Sequence, residues 1–323
     1  MNTTRHFLKD TDLTPAEQAE VLELAVRMKA APYSVQPFAA AGNGRKTVAV
    51  IFDKTSTRTR VSFATGIADM GGNALIINPG EAQIGHKESV EDTAKVLERM
   101  VSTIVWRTSA HSGLVAMAEN SKVPVINALC DDYHPCQLLA DLLAVKEHKG
   151  ELKGLTMAYL GDAANNMANS YLLAGVTAGM HVRISGPEGY LPAAEIVAAA
   201  EERAAETGGS VLITTDAKEA LNDADVVATD TWVSMGQEAE KEAGCSSSAS
   251  TPWTRRPWNT PHRTPSCSTA CLRTEAMRFP PASSTAPVHR LGRSREPLAR
   301  PESAHGVADA QVGTRIRRRP FPR

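Results

Sequence analysis

A chain of 323 residues is long enough for two domains with separate cores, and its 42% hydrophobic content is ordinary for a globular protein. No run of eighteen apolar residues occurs, which argues against a membrane span, and the polar stretch Met1 to Asp10 lacks an apolar signal segment, so a cytoplasmic location is expected. The net charge of −1 hides an asymmetry: residues 1–243 hold 21 Lys and Arg against 32 Asp and Glu, whereas residues 244–323 hold 14 against 4, all 14 of them arginine.

Thr14-Pro15 reads as a helix start, a cap followed by proline at the first helical position, with Ala19, Leu22, Leu24, Ala25 and Met28 as its apolar stripe. Strands and helices then alternate. Strands are expected at 47–52, 74–78, 102–106 and 123–126, and helices at 59–70, 88–100, 112–119 and 136–148. The region of Lys149-Gly150 closes this half. A second alternating half has strands at 156–160, 181–185, 210–214 and 225–229, and helices at 166–178, 192–207 and 217–222. Such alternation implies parallel sheets with crossover helices, an α/β chain of two doubly wound domains. The boundaries are 1–149 for the first domain and 150–242 for a partial second. Residues 243–323 are expected to form a disordered, irregular tail without helical or strand periodicity, rich in Arg, Pro and Ser; it holds 11 of the 19 prolines. Five cysteines, at 130, 136, 245, 267 and 271, show neither metal-ligand spacing nor a disulfide framework.

Polar clusters follow the expected strands, where ligands of open α/β sheets bind. Ser56-Thr57-Arg58-Thr59-Arg60 joins a strand end to a helix start. Free N–H groups, the positive dipole end and paired guanidiniums there suit a phosphate, although a solvated basic helix start has the same composition. Arg107, after the strand at 102–106, is either a surface charge or a third cationic donor. His134-Pro135-Cys136-Gln137 opens another helix; His134 is structural or functional, and Gln137 supplies both donor and acceptor for a carbonyl or amide. Cys136 reads as a packing residue. Gly161 to Met167 lacks G-x-G-x-x-G, which argues against a nicotinamide cofactor, while Asn165 and Asn166 suit an amino-acid carboxylate or amine. Asp230 is a helix cap or a partner for an ammonium group, and Ser234 suits a carboxylate.

Taken together, these clusters resemble the aspartate/ornithine carbamoyltransferase family over about residues 5–240. Phe52-x-Lys54-x-Ser56-Thr57-Arg58-Thr59-Arg60 and His134-Pro135-Cys136-Gln137 look like its carbamoyl-phosphate motifs, and Asp230-x-x-x-Ser234-Met235-Gly236 is similar to the signature of its ornithine branch. The resemblance implies attack of the neutral δ-amine of L-ornithine on carbamoyl phosphate, a tetrahedral intermediate, and release of citrulline and phosphate. It implies that Ser56, Thr57, Arg58, Thr59 and Arg107 hold the phosphate. Thr59, Arg107 and His134 would donate to the oxyanion, with Gln137 on the carbamoyl amide. Arg58, Thr59, Arg107 and His134 form the implied catalytic set. Asn166, Asp230, Ser234 and Met235 would place ornithine, and Gln83, in a mobile loop, would reach a neighbouring subunit's site. The family needs no metal or cofactor and assembles as trimers or multiples of trimers. Neither a nucleic acid nor a membrane is an expected partner.

The family's second-domain motif His-Cys-Leu-Pro and its long terminal helix are not legible in the tail. Shifting the reading frame of Arg263 to Phe279 allows Asp-Ala-Ile-Val-Leu-His-Cys-Leu-Pro-Ala-His-Arg-Gly-Asp-Glu-Ile, and Leu291 to Val307 reads like the terminal helix in the other shifted frame. The sequence reading is therefore that residues from about 243 onward are out of frame, through a frameshift or base-calling errors. Cys271-Leu272 receives no role. On that reading the chain as written lacks parts of the second domain and is expected to be inactive. Two alternatives are a catalytically dead remnant that binds carbamoyl phosphate and a carbamoyltransferase for a related amine. A third, a nucleic-acid-binding arm in the tail, is disfavoured because few aromatics interleave its arginines.

Overall fold

Thr14 starts the first helix by reciprocal bonding: its Oγ1 accepts from the N–H of Glu17, whose Oε2 accepts from the N–H of Thr14 at 2.8 Å. The computed structural model describes residues 4–40, 44–81, 84, 87–230 and 289–291. After a short 3-10 turn (Asp10–Asp12) comes α1 (Pro15–Ala30), then a small antiparallel pair, β1 (Ala39–Ala40) and β2 (Gly44–Arg45). The first alternating half follows as β3 (Thr47–Phe52), α2 (Thr57–Asp69), β4 (Asn73–Ile77), α3 (Val90–Leu97), β5 (Thr103–Arg107), α4 (His111–Glu119), β6 (Val125–Leu129) and α5 (Pro135–Lys149). The second half is β7 (Thr156–Leu160), α6 (Asn166–Thr177), β8 (His181–Ser185), α7 (Ala194–Thr207), β9 (Ser210–Thr214), α8 (Ala217–Leu221) and β10 (Val226–Thr229). From the tail, β11 (His289–Leu291) adds a strand.

Both large sheets are parallel. The first has the order β4-β3-β5-β6 and the second β11-β10-β7-β8-β9. Strand order reverses between β3 and β5 in the first and between β7 and β10 in the second. These are the switch points at which a crevice opens beyond the carboxyl ends. Register pairs Phe52 with Arg107 at one and Leu160 with Thr229 at the other. Buried Val, Ile and Ala side chains make β3 and β5 nearly continuous apolar runs, as a sheet covered on both faces requires.

Several expected boundaries move, each for a local reason. Helix α3 starts at Val90 because Ser89 Oγ caps it, accepting from the N–H of Asp92 at 3.0 Å. Strand β6 runs to Leu129, past the expected 126. Asn127 can sit inside it, fully buried, because its amide donates to Leu8 O at 2.8 Å and its Oδ1 accepts from Leu129 N. In α1 the buried face holds Gln18 and Leu22, and the expected Ala19 is exposed. Gln18 takes the inner position by donating to Ala174 O of α6 at 3.1 Å, a contact that apolar periodicity does not reveal.

Helix α5 links the halves. Cys136 packs in the first core, with Val50, Phe52 and Phe63. Leu138, Leu142 and Val145 pack in the second, with Met157, Tyr159 and Leu172. The helix stops at Gly150, whose φ of +88° a residue with Cβ adopts only under strain. At the outer edge of β10 the backbone groups pair with β11, Val226 opposite His289 and Ala228 opposite Leu291. Three residues of the tail are thus regular. Among the described residues, no helix is long and apolar enough to cross a membrane.

Candidate active site

The first switch point collects the basic and hydroxyl residues. Ser56 is the N-cap of α2, and the first turn of that helix contains no acidic residue to oppose an anion. Its Oγ accepts from Thr59 N at 3.3 Å and donates to Thr59 Oγ1 at 2.9 Å. From the end of β5, Arg107 Nη1 donates to the same Thr59 oxygen at 3.2 Å. One hydroxyl therefore ties the strand-end arginine to the helix start. Arg107 and Thr59 are 4% and 1% exposed, while Thr57 and Arg58 lie at the surface. A guanidinium held that deep keeps its full charge and interacts strongly with an anion. The ladder between β5 and β6 shifts register at Trp106 and Arg107, an irregularity of the kind that re-aims side chains beside a site. At the rim, Lys54 pairs with Asp131 at 3.1 Å.

His134 is the N-cap of α5, with Pro135 as the first helical residue, but its side chain makes no capping bond. The imidazole is buried, and burial together with the Arg107 guanidinium pushes its pKa down to about 3. At physiological pH it is neutral, a hydrogen-bond donor rather than a cation. Its backbone N–H donates to Ser170 Oγ of α6 at 2.9 Å. Three residues on, Gln137 Nε2 donates to Asp141 Oδ1 at 3.2 Å, and Tyr171 Oη donates to Asp141 Oδ2 at 2.5 Å. Burial pushes Asp141 up to about 7. The amide nitrogen of Gln137 can only donate, so its acceptor is the carbonyl oxygen. Cys136 is buried, and its Sγ donates to Asn127 O, as expected of a packing residue.

The second switch point is acidic. Asp162 follows β7, and burial followed by the charge of Asp230 raises its pKa. Asp230 follows β10 and also raises Asp141 and Tyr159. Asn165 caps α6 by accepting from Ala168 N, whereas Asn166 Nδ2 donates to Cys130 O at 2.7 Å in the first half. That bond, with Ser170 to His134, brings the two switch points together. The structure thus gathers Ser56, Thr59, Arg107, His134 and Gln137, with Asn166 and Asp230 on the second-sheet side. Gln83, Ser234 and Met235 lie outside the described residues.

Sequence reasoning missed Asp141, Asp162 and Ser170. A signal existed for Asp141, since it lies four residues after Gln137 on one helix face. Ser170 is recognised only once α6 meets the start of α5.

Two family models match the chain in succession. The family model for the "Aspartate/ornithine carbamoyltransferase, carbamoyl-P binding domain" matches residues 5–147, and that for the "Asp/Orn binding domain" matches 153–253. The ornithine carbamoyltransferase of Renibacterium salmoninarum is 74% identical over 238 residues, which are 74% of this chain and 76% of the relative. That of Clavibacter sepedonicus is 64% identical over the same shares. Among solved structures, ornithine carbamoyltransferase from Pyrococcus furiosus superposes with a TM-score of 0.70 at 42% identity, covering 76% of this chain and 77% of the other. The anabolic enzyme from Campylobacter jejuni gives 0.70 at 38%, covering 76% and 78%. With both domain models matched in order and the buried Arg107, Thr59 and His134 collected at the first switch point, the chain belongs to the aspartate/ornithine carbamoyltransferase family.

Proposed function

We propose that this chain transfers the carbamoyl group of carbamoyl phosphate to the δ-amine of L-ornithine, giving L-citrulline and phosphate. The observation that carries this reading is the cluster of buried Arg107 and Thr59 with half-buried Ser56, a neutral His134 beside it and carboxylates opposite. Ser56, Thr57, Arg58, Thr59 and Arg107 hold the phosphoryl oxygens. Gln137 accepts from the carbamoyl amide. The neutral amine attacks the carbonyl carbon, and the oxygen that becomes negative is met by Thr59, Arg107 and His134. The C–O bond to phosphate then breaks, and the amine loses its proton. Asn166, Asp230, Ser234 and Met235 place ornithine, with an acidic surround that favours its cationic end. Holding both reactants in line supplies much of the rate without a covalent intermediate.

The proposed assembly is a trimer or a multiple of one, with Gln83 reaching a neighbouring subunit's site, in the cytoplasm. The proposed organisation is a first domain over 1–149, a partial second over 150–242 and an out-of-frame tail from about 243. The second-domain family match ends at residue 253, which supports a change of character in this region.

A citrulline-formation assay on the chain as written, beside a frame-restored version, tests both parts. Turnover is expected in the restored chain and little in the written one. Turnover in both would defeat the frame argument. No turnover in a folded restored chain that binds phosphate would point to a different amine.

A further inference from the structure

Three buried polar groups, from three distant parts of the chain, form one line of hydrogen bonds. Ser170 Oγ of α6 donates to Asp10 Oδ2, in the 3-10 turn, at 2.6 Å. The backbone N–H of His134 donates to Ser170 Oγ at 2.9 Å. Exposures are 3% for Asp10, 0% for Ser170 and 6% for His134. Chemistry fixes the directions. A backbone N–H can only donate, so the serine oxygen accepts there and its proton goes to the carboxylate.

Two observations set this line apart from ordinary packing. Thr177, on the same helix as Ser170, bonds back to Leu173 O of its own helix at 2.8 Å, whereas the Ser170 hydroxyl is spent on the other two elements. The His134 N–H lies just before the first turn of α5 and has no intrahelical partner, so Ser170 fixes where the chain enters that helix. Asp10 meanwhile carries a burial cost. Its pKa is pushed up to about 7, the neighbouring charges that act on it come from Asp12, and no cation pairs with it among the described residues. Asp10 in turn contributes to raising the pKa of Tyr133.

We propose that Ser170 and Asp10 are positioning residues for the carbamoyl end of the site: by holding the His134 N–H they set the places of the imidazole and of Gln137 relative to the Arg107 and Thr59 cluster. The inference rests on the transfer reading above for what that end of the site binds. It also makes the N-terminal turn and the second-sheet helix α6 part of the first-sheet site.

The test compares two probes on the full chain at about pH 8, where Asp10 is mostly ionised. Inorganic phosphate reports the phosphate cluster alone. Phosphonoacetamide carries a phosphoryl group and a carboxamide without a labile ester, and so also reports the carbamoyl end. In Ser170→Ala and Asp10→Leu the affinity for phosphonoacetamide is expected to fall about tenfold, with phosphate held within about twofold. Asp10→Asn, which keeps an oxygen to accept from Ser170, is expected to stay within about threefold of the parent for both probes. Equal weakening of both probes would assign the line a merely structural role and overturn the proposal. An unchanged ratio in Ser170→Ala would also overturn it, whether or not Asp10→Leu folds. A parent chain that binds neither probe would remove the site and the proposal with it. Citrulline formation by the frame-restored chain is a separate readout: a restored chain that makes none yet shows the expected ratios defeats the transfer reading and supports the positioning role.

Discussion

Both sheets are parallel and doubly wound, one of four strands and one of five, yet their switch points carry opposite chemistry. Beyond β3 and β5 stand Ser56, Thr59, Arg58 and a buried Arg107, with an uncharged His134 alongside. Beyond β7 and β10 stand Asp162 and Asp230, close enough for Asp230 to raise the pKa of Asp162. Two differently ordered sheets thus gather basic and hydroxyl residues at one switch point and carboxylates at the other. The fold supplies the crevice, and a few strand-end residues decide what enters it. The halves also differ in how they are tied. The first closes on itself through Thr59 and Arg107, while the second reaches across through Asn166 and Ser170.

The contrast can be broken from the basic side first. Arg107→Gln removes the buried charge and its bond to Thr59, and phosphate affinity is expected to fall about 100-fold by calorimetry, because charge-assisted bonds are the strong ones. Next, His134→Ala in the frame-restored chain should lower kcat for citrulline formation on the order of 100-fold, the scale of one lost oxyanion donor, with phosphate affinity unchanged. Since the His134 pKa is pushed down to about 3, the rate should show no histidine titration between about pH 6 and 8. From the acidic side, Asp230→Asn should raise the KM for ornithine about tenfold and leave phosphate binding alone. A matching loss of phosphate affinity would show that the two switch points are not separable.

The smallest effect concerns stability. Asp10 and Asp141 both have folded pKa values pushed up to about 7 from 3.8, so between these limits the fold binds protons that the unfolded chain has released. Stability should therefore rise as pH falls from about 8 to about 6, by about 1 kcal/mol for each acid, as measured by urea unfolding. Asp141→Asn and Asp10→Asn should each flatten that slope. Glu17, Glu23 and Glu81 have lowered values and act in the opposite sense, losing stability only as pH falls below the ordinary carboxylate range.

Most of the alternating strands and helices were legible because each rests on local rules: apolar runs, Ser or Thr caps, proline at a first helical position and glycine after a last one. The strands at 156–160, 181–185 and 210–214 appear where those rules place them. The basic and hydroxyl cluster was legible for the same reason, since Ser56 to Arg60 is one stretch that begins a helix. Where polar side chains look outward from their own element, local rules fail. Gln18 occupies the buried face of α1 because a carbonyl of α6 receives it, and Ala19 is displaced to the surface.

By itself the sequence determined the winding of the two halves, the strand ends at which chemistry collects and the family motifs at those ends, because these are short-range properties of contiguous residues. Tertiary structure alone decided that α5 serves both cores, that Thr59 is held by an arginine 48 residues away, and that Ser170 and Asp10 hold the start of the helix carrying His134 and Gln137. Those contacts join residues up to 160 positions apart, and a buried hydroxyl or carboxylate finds its partner only after the elements between them have packed.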